Sequence, residues 1–317
     1  MEISQTEIRV KGKQTYVPSA RIHDRTVITK GGWLKVAVVK DEDLIEGDTV
    51  ADPESFVAQL KECGLKADVF TFAQKLSETT PKYAYHLEWD NWAAIPITTY
   101  TDWFKHRAES SVQRAVRKAA KSGIVVRVVE FDDAFVQDIV TINNESPIRQ
   151  GRPYWHFQKS FEDVKREYST YADRNIFLGA YIENELAGFM RITCADKVAS
   201  TIMLLSKMQH YDKRPSNALI AKAVEVCEQQ GLSYLTYWNY IYNDPKSSLT
   251  EFKRRNGFEK MLVPRYYIPL TIKGKIALGL GLHRELASHI PKPLLNRLLT
   301  MRNSWYERKY KSPKEAA

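Results

Sequence analysis

The spacing of apolar and polar residues separates the first third of the chain from the remaining two thirds. Residues 1–30 are polar and suggest no regular element, whereas later short apolar runs predict strands. Asp52, Pro53 and Gly64 have the spacing of a helix N-cap, a first helical residue and a helix stop. The pattern therefore predicts a small N-terminal α/β domain over residues 1–104.

In the next segment the apolar residues recur at the spacing of an α-helix. Residues 103–123 place apolar residues on one face and close with Gly123, which predicts a single amphipathic helix. A second face is basic, and its members are Arg107, Arg114, Lys118 and Lys121. This basic face over 107–121 is either a solvated surface or a contact for phosphate and nucleic acid, tRNA included.

From Ile124 to Thr271, stretches with the apolar spacing of strands are interspersed with stretches that have the apolar spacing of helices. The predicted order is β, α, α, β, β, β, α, β, α, β, β, with Asp132 as a helix N-cap and a strand pair at the end, around 258–271. Glu183 and Asn184 suit a tight hairpin turn between two of the strands. This order predicts an α+β domain over 105–271.

The segment 272–317 predicts two helices interrupted by Pro291 and Pro293. Its apolar stripe consists of Leu294, Leu295, Leu298 and Leu299, with arginine and lysine around it. Two interpretations stay open for this basic helical tail. It packs on the protein's own body or on a dimer partner, or it lies on an anionic membrane surface.

Charge and cysteine content narrow the class of protein. The net charge is +9, and it is concentrated in the segments 105–121 and 271–317. Cys63, Cys194 and Cys227 are widely spaced, which argues against a disulfide framework and against a cysteine zinc site. We therefore predict no metal site, acidic partners for the two basic segments, and a cytoplasmic location. Peripheral contact with the inner face of the membrane is a further expectation.

Three stretches resemble the GNAT acyltransferase fold: FLGAYIENELAGFMRI, HYDKRPSNALIAKAVEVCEQQG and LTEFKRRNGFEK. The residues of RAVRKAAKSGIVV and FKRRNGF are more similar to the Fem-type branch, whose members transfer amino acids from aminoacyl-tRNA. The resemblance implies a mixed, mainly antiparallel sheet flanked by helices. It also raises the possibility that residues 1–104 are a degenerate second GNAT-like half.

The same resemblance directs attention to the start of the fourth predicted helix. The residues expected to bind the donor are Lys213, Arg214, Ser216 and Asn217. Members that use acetyl-CoA have glycines here, whereas this chain has Ser216, and Pro215 lacks a backbone N–H. Ser216 is alternatively a simple N-cap. Lys253 stands where many acyl-CoA users have a tyrosine that protonates the leaving thiolate. No tightly bound cofactor is expected, and the donor is acyl-CoA or aminoacyl-tRNA.

The resemblance places the acceptor between the splayed central strands and the loop over 143–157. Candidate catalytic residues, which could accept a proton from the attacking group, are Glu145, His156 and His210. Candidate substrate-binding residues are Arg149, Arg152, Tyr154 and Trp238. His210 and Asp212, two residues apart, are either a base with an orienting carboxylate or an ordinary turn pair. The structural alternatives for the others are a surface loop for the loop residues and core packing for Trp238.

These residues predict an acyltransferase that moves an acyl or aminoacyl group directly to an amine or hydroxyl. A small-molecule or lipid-linked precursor of the cell envelope or of a polysaccharide is the expected acceptor. The alternative is a non-catalytic GNAT-fold binding or scaffold protein. The missing glycines and the missing tyrosine favour that alternative.

Overall fold

We describe a computed structural model of the chain over residues 3–10, 13–76, 78–149, 152–241, 247–284 and residue 301. Its strands are β1 (Ser4–Val10), β2 (Lys13–Ile22), β3 (Arg25–Lys30), β4 (Val36–Val39), β5 (Val69–Ala73), β6 (His86–Pro96), β7 (Ile124–Val129), β8 (Ile148–Arg149), β9 (Arg152–Pro153), β10 (Asn175–Ile182), β11 (Glu185–Ala195), β12 (Val198–Ser206), β13 (Tyr234–Asn239) and β14 (Glu259–Pro269). Its α-helices are α1 (Pro53–Glu62), α2 (Tyr100–Asp102), α3 (Ser110–Lys121), α4 (Asp133–Asn143), α5 (Phe161–Tyr168), α6 (Pro215–Gln229), α7 (Ser248–Arg255) and α8 (Ile272–Gly279).

Twelve of these strands form one sheet in the order β1-β2-β3-β4-β5-β14-β6-β13-β12-β11-β10-β7. Two neighbouring pairs are parallel, β4 with β5 and β12 with β13, and the other pairs are antiparallel. Parallel neighbours need a crossover, which α1 and α6 supply. The predicted α+β fold with a mixed, mainly antiparallel sheet is confirmed.

The sheet has the same strand order in its two halves. In each half three antiparallel strands lead into a helix and a parallel strand: β2-β3-β4-α1-β5 and β10-β11-β12-α6-β13. The halves then exchange strands, because β14 pairs with β5 and β6 pairs with β13. A sheet that crosses residue 104 joins the segments predicted as separate domains. The boundaries at 104 and 271, and the degenerate second half, stay predictions.

The prediction that residues 1–30 are irregular was wrong, since these residues form β1, β2 and β3. Only a few of their side chains enter the core, among them Ile22, Val27 and Ile28. The other positions are polar because the strands lie at one end of the sheet and expose much of their surface. A strand that is only partly buried gives a weak apolar alternation.

The helix predicted over 103–123 is interrupted. A π-helical turn covers Trp103–Arg107, and α3 begins only at Ser110. Buried Trp103 donates from Nε1 to the carbonyl of Asn256 at 2.9 Å, and the backbone N–H of Glu109 donates to the carbonyl of Arg255 at 2.9 Å. These contacts with the end of α7 divert the backbone from the helical path.

Several local signals elsewhere predict the structure correctly. Asp52 caps α1 through hydrogen bonds from the N–H groups of Glu54 and Ser55, and Asp132 caps α4. Glu183, in the hairpin turn, has a positive φ of 55°. The strand pair predicted near the end of the second segment is instead one long strand, β14, whose neighbours come from the first third of the chain.

Helix α6 is the best buried helix of the second half and packs against β7, β10, β11, β12 and β13. A separate apolar core fills the first half between α1 and its strands. No helix among the described residues is long and apolar enough to span a bilayer. The leucine stripe predicted in the tail lies outside the described residues.

Candidate functional site

Strands β12 and β13 separate partway along their length. Their pairing runs only from Val198 opposite Tyr234 to Ser200 opposite Thr236. Beyond that point β12 continues beside β11, while β13 bulges and pairs with β6. Trp238 in this bulge has a φ of 49° and is 52% exposed, so the core-packing alternative for Trp238 does not hold. The sheet is therefore splayed beside Trp238.

A buried lysine lies at this splayed end. Lys253 on α7 is 1% exposed, and its Nζ donates to the carbonyl of Asn239 at 2.6 Å. The same ammonium lies 4.8 Å from the centre of the Tyr237 ring. No carboxylate of the described residues forms an ion pair with Lys253. Burial lowers the pKa of Lys253 to about 8. At neutral pH the amine is therefore mostly protonated, yet it releases its proton more readily than an exposed lysine does.

Helix α6 reaches the same region with its first turn. The N-cap is Arg214, which is in the left-handed conformation with a φ of 64°, followed by Pro215. Ser216 lies inside the helix, and its Oγ is 2.8 Å from the Oγ of Ser206, so the N-cap alternative for Ser216 was wrong. Asn217 donates from Nδ2 to Oδ1 of Asn256, at the end of α7, at 3.1 Å.

The turn that leads into α6 is closed by a carboxylate from the predicted acceptor loop. Glu145 accepts hydrogen bonds from the backbone N–H groups of Met208 at 2.7 Å and Gln209 at 3.2 Å. These donors open the 3-10 turn Met208–Lys213. The GNAT resemblance implies that backbone donors from Lys213 to Ala218 bind a pyrophosphate. The two N–H groups bound by Glu145 lie just before that stretch.

Arg149 holds Glu145 in that position. Its side chain is 7% exposed and donates to Glu145 at 3.0 Å, to the carbonyls of Ile142 and Ser206 at 2.8 and 2.9 Å, and to the Tyr211 hydroxyl at 3.1 Å. Nearly all of its hydrogen-bonding capacity is thus used within the protein. The substrate-binding role of Arg149 stays a prediction. Its observed contacts hold Glu145 against the end of α4 and the end of β12, and we call this arrangement a clamp.

The rest of the loop forms a second polar cluster. Tyr154 donates to Oδ1 of Asn143 at 2.8 Å and packs near His156, whose Nδ1 lies 2.9 Å from Nζ of Lys159. Burial and the neighbouring ammonium of Lys159 lower the pKa of His156 to about 4. A neutral imidazole at neutral pH is compatible with a base, although a pKa near 4 makes it a weak one. Arg152 is exposed on β9.

His210 belongs to a third group, centred on Glu185 at the start of β11. His210 Nε2 is 3.1 Å from the Glu185 carboxylate, which also accepts from Lys207 and Gln209. Lys213 lies 3.3 Å from the other ring nitrogen of His210. The partner of His210 is thus Glu185 rather than Asp212, the carboxylate two positions away. The structure therefore joins His210 to Lys213, but not to His156.

The sequence marks Lys253 only as a substitute for the usual tyrosine, and the predicted site did not include it. The signal for it was its position in FKRRNG, four residues before Gly257. What the sequence could not reveal is its burial without a carboxylate partner among the described residues. Such a lysine is uncommon outside functional sites.

A cavity of about 450 Å³ lies between the two halves of the sheet, away from Lys253. Asp43 and Lys75 line it from the first half, and Asp196 and Tyr234 from the second, with Trp92 between them. Burial is the main cause that raises the pKa of Asp43 to about 6. Asp196 also accepts from the backbone N–H of Gly47 at 2.9 Å, so the carboxylate of one half is bound to the backbone of the other.

The basic face on α3 is only partly available. Arg107 is engaged by Asp102 and Glu259, whereas Arg114, Lys118 and Lys121 are exposed. The three exposed residues project from one helix at intervals of three and four residues, so they form a short cationic strip.

Comparison with solved structures identifies the fold. FemX superimposes with a TM-score of 0.56 at 9% identity, covering 87% of this chain and 90% of FemX. L-PGS from Bacillus licheniformis gives 0.51 at 14% identity over 76% and 80%. The C-terminal domain of a protein described as a putative lysylphosphatidylglycerol synthetase from Agrobacterium fabrum gives 0.51 at 13% over 82% and 86%.

No protein-family model matches the sequence, and no curated protein matches it either. The structural likeness extends over both halves of the sheet rather than the second half alone, because 76% or more of this chain is covered in each comparison. The chain therefore has a GNAT-like fold, as the three sequence stretches predicted.

Proposed function

We propose that this protein is a transferase that moves an acyl or aminoacyl group to an amine or hydroxyl at the splayed end of β12 and β13. The observation that carries the proposal is Lys253, a buried ammonium whose only hydrogen bond among the described residues is to the Asn239 carbonyl. In acyl transfer, negative charge develops on the carbonyl oxygen and on the leaving oxygen. A preorganised cation in a water-poor site stabilises that charge.

Aminoacyl-tRNA is the donor we favour over acyl-CoA. Glu145 fills two backbone donors of the turn before α6, and Pro215 removes a third at the start of the helix. A pyrophosphate approaching this turn would meet a carboxylate, and like charges at close range repel. The exposed strip on α3 offers a cationic surface to a polynucleotide.

A precursor of the cell envelope, lipid-linked or small, is the acceptor we propose. The support is fold-level analogy with FemX and with proteins whose names refer to lysylphosphatidylglycerol synthesis. Peripheral membrane contact and cytoplasmic location belong to the same proposal. The exposed indole of Trp238 beside the splay gives a flat surface on which a sugar or a lipid headgroup could stack.

The test is a donor screen followed by one substitution. Thermal-shift measurements compare acetyl-CoA, longer acyl-CoAs and charged tRNA, and transfer of a radiolabelled amino acid is then assayed on lipid and glycan acceptors. We expect charged tRNA to stabilise the protein and Lys253→Met to lower the transfer rate by about 100-fold. Lys222→Met, which removes a lysine paired with Glu225 on α6, is the matched control.

The alternative function is a non-catalytic binding protein with the same fold. The missing glycines at the start of α6 and the occupied N–H groups just before it favour this alternative, because both leave fewer backbone donors for a phosphate. If no donor shifts the melting temperature and Lys253→Met changes nothing but stability, the binding protein is the better conclusion.

A further inference from the structure

Two histidines and a glutamate meet where the start of β6 faces the turn after α8. His86 and Glu88 are two residues apart on a strand, so their side chains project from the same face. His283 arrives from the turn after α8, and its Nε2 lies 2.9 Å from Oε1 of Glu88. One nitrogen from each histidine and one carboxylate oxygen lie within 4.8 Å of one another.

The ring of His283 is held firmly. Its side chain is 1% exposed, and its centre lies 4.7 Å from that of Tyr267 and 5.5 Å from that of His86. Its Nδ1 is buried and has no hydrogen-bond partner among the described residues. A fixed imidazole is preorganised as a ligand. The nitrogen that faces the Glu88 carboxylate, and that would bind a metal ion, is Nε2 rather than this Nδ1.

Glu88 keeps coordinating capacity of its own. Oε1 also accepts from Nε of Arg284 at 2.9 Å, while no hydrogen bond to Oε2 is found in the described part of the chain. A metal ion bound through Oε2 therefore leaves the Arg284 contact in place. The Arg284 side chain is 55% exposed, so it is also able to turn towards solvent.

We propose that His86, Glu88 and His283 form a zinc site. Two imidazole nitrogens and one carboxylate oxygen are a donor set that Zn²⁺ uses, whereas Mg²⁺ and Ca²⁺ prefer oxygen ligands throughout. The side chain of His86 is 42% exposed, which leaves room for water as the fourth ligand. The ion would fasten the turn after α8 to a central strand.

This site is independent of the proposed transfer reaction, because none of its ligands belongs to the splayed end of β12 and β13. It also differs from the expectation of no metal, which rested on cysteine spacing. His86 and His283 are far apart in sequence, and only the sheet brings them together. Its role is therefore structural.

The full-length protein is stripped with a chelator, dialysed and titrated with zinc sulfate by calorimetry. We expect one site with a dissociation constant in the micromolar range or tighter. His86→Ala and His283→Ala should each weaken binding by at least about 10-fold, since each removes one of three protein ligands. His106→Ala, which removes an exposed histidine from another surface, is the matched control and should bind as the wild type does.

Cobalt substitution supplies a second readout. Co²⁺ should give visible absorption bands typical of low coordination in the wild type and in His106→Ala, but not in His86→Ala. Zinc should raise the melting temperature of the same two proteins only. His86 is exposed, so its variant remains folded even if His283→Ala does not. A wild type that binds zinc no tighter than about 100 μM, or a His86→Ala variant that binds equally well, overturns the proposal.

Discussion

The Glu145 carboxylate accepts a 2.7 Å hydrogen bond from the backbone N–H of Met208, sixty-three residues further along the chain. This contact joins the loop after α4 to the turn before α6. The GNAT resemblance predicts the acceptor beside the first segment and the donor beside the second. The hydrogen bond therefore links the two predicted substrate sites, and buried Arg149 holds Glu145 in place.

Glu145→Ala should destabilise the protein by about 1–3 kcal/mol, because it removes the carboxylate that is hydrogen-bonded to the buried guanidinium of Arg149. Urea denaturation at pH 7 measures the loss. Glu162→Ala, which removes an exposed carboxylate from α5, is the control and should change stability by less than about 0.5 kcal/mol. An equal, small effect in both variants would contradict the role of Glu145 as a clamp.

His156 should make the protein lose stability in mild acid. Its pKa is lowered to about 4 by burial and by Lys159, whereas the unfolded value is 6.5. The unfolded chain therefore binds a proton first, and stability falls as the pH drops from 6.5 towards 4, by about 2–3 kcal/mol. His156→Gln should lose this part of the pH dependence, and His23→Gln, an exposed control, should retain it. Chemical denaturation at several pH values distinguishes the two variants.

Asp43 should act in the opposite direction over the same range. Its pKa is raised to about 6, mainly by burial, so the folded protein takes up a proton more readily than the unfolded chain. Its contribution is present at low pH and is lost as the pH rises through 6. Asp43→Asn should therefore be more stable than the wild type at pH 8 and show no such gain at pH 4. Equal gains at both pH values would show that the carboxyl does not titrate as inferred.

Lys253→Met should separate activity from stability. The pKa of Lys253 is lowered to about 8, against 10.5 in the unfolded chain, so burial of the charged form costs stability below pH 8. Wild-type stability should rise relative to that of Lys253→Met between pH 8 and 10, by up to about 3 kcal/mol. At pH 7 the variant should be at least as stable as the wild type, with a transfer rate about 100-fold lower. A variant that unfolds at pH 7 would point to a purely structural lysine.

Reversing the charge of Arg114, Lys118 and Lys121 together should weaken tRNA binding about 10-fold or more at about 0.15 M salt. The salt dependence should flatten, because about two to three fewer counterions are released. Filter binding over a range of salt concentrations measures both quantities. Reversal of the exposed lysines Lys30, Lys61 and Lys66 changes the net charge equally and should have a smaller effect. If both triple variants lost the same affinity for tRNA, the effect would come from the net charge of the protein and not from the strip on α3.

Local signals in the sequence predicted the structure well where the conformation of an element depends only on residues within that element. Asp52 and Asp132 cap helices because a short acidic side chain satisfies N–H groups two or three residues away. The helix over 103–123 is predicted as continuous for the same reason, and there the rule fails. Trp103 and Glu109 bond to the end of α7, which no local pattern reveals.

Most of the element order after residue 124, the helix caps and the cationic strip can be derived from the amino-acid sequence, because each depends on neighbours a few residues apart. Long-range packing instead places β14 between β5 and β6, closes the turn before α6 with Glu145 and buries Lys253. Those features depend on contacts between residues far apart in the chain. A lysine in a helical pattern looks solvated until the packing around it removes the water, and that removal gives Lys253 its lowered pKa.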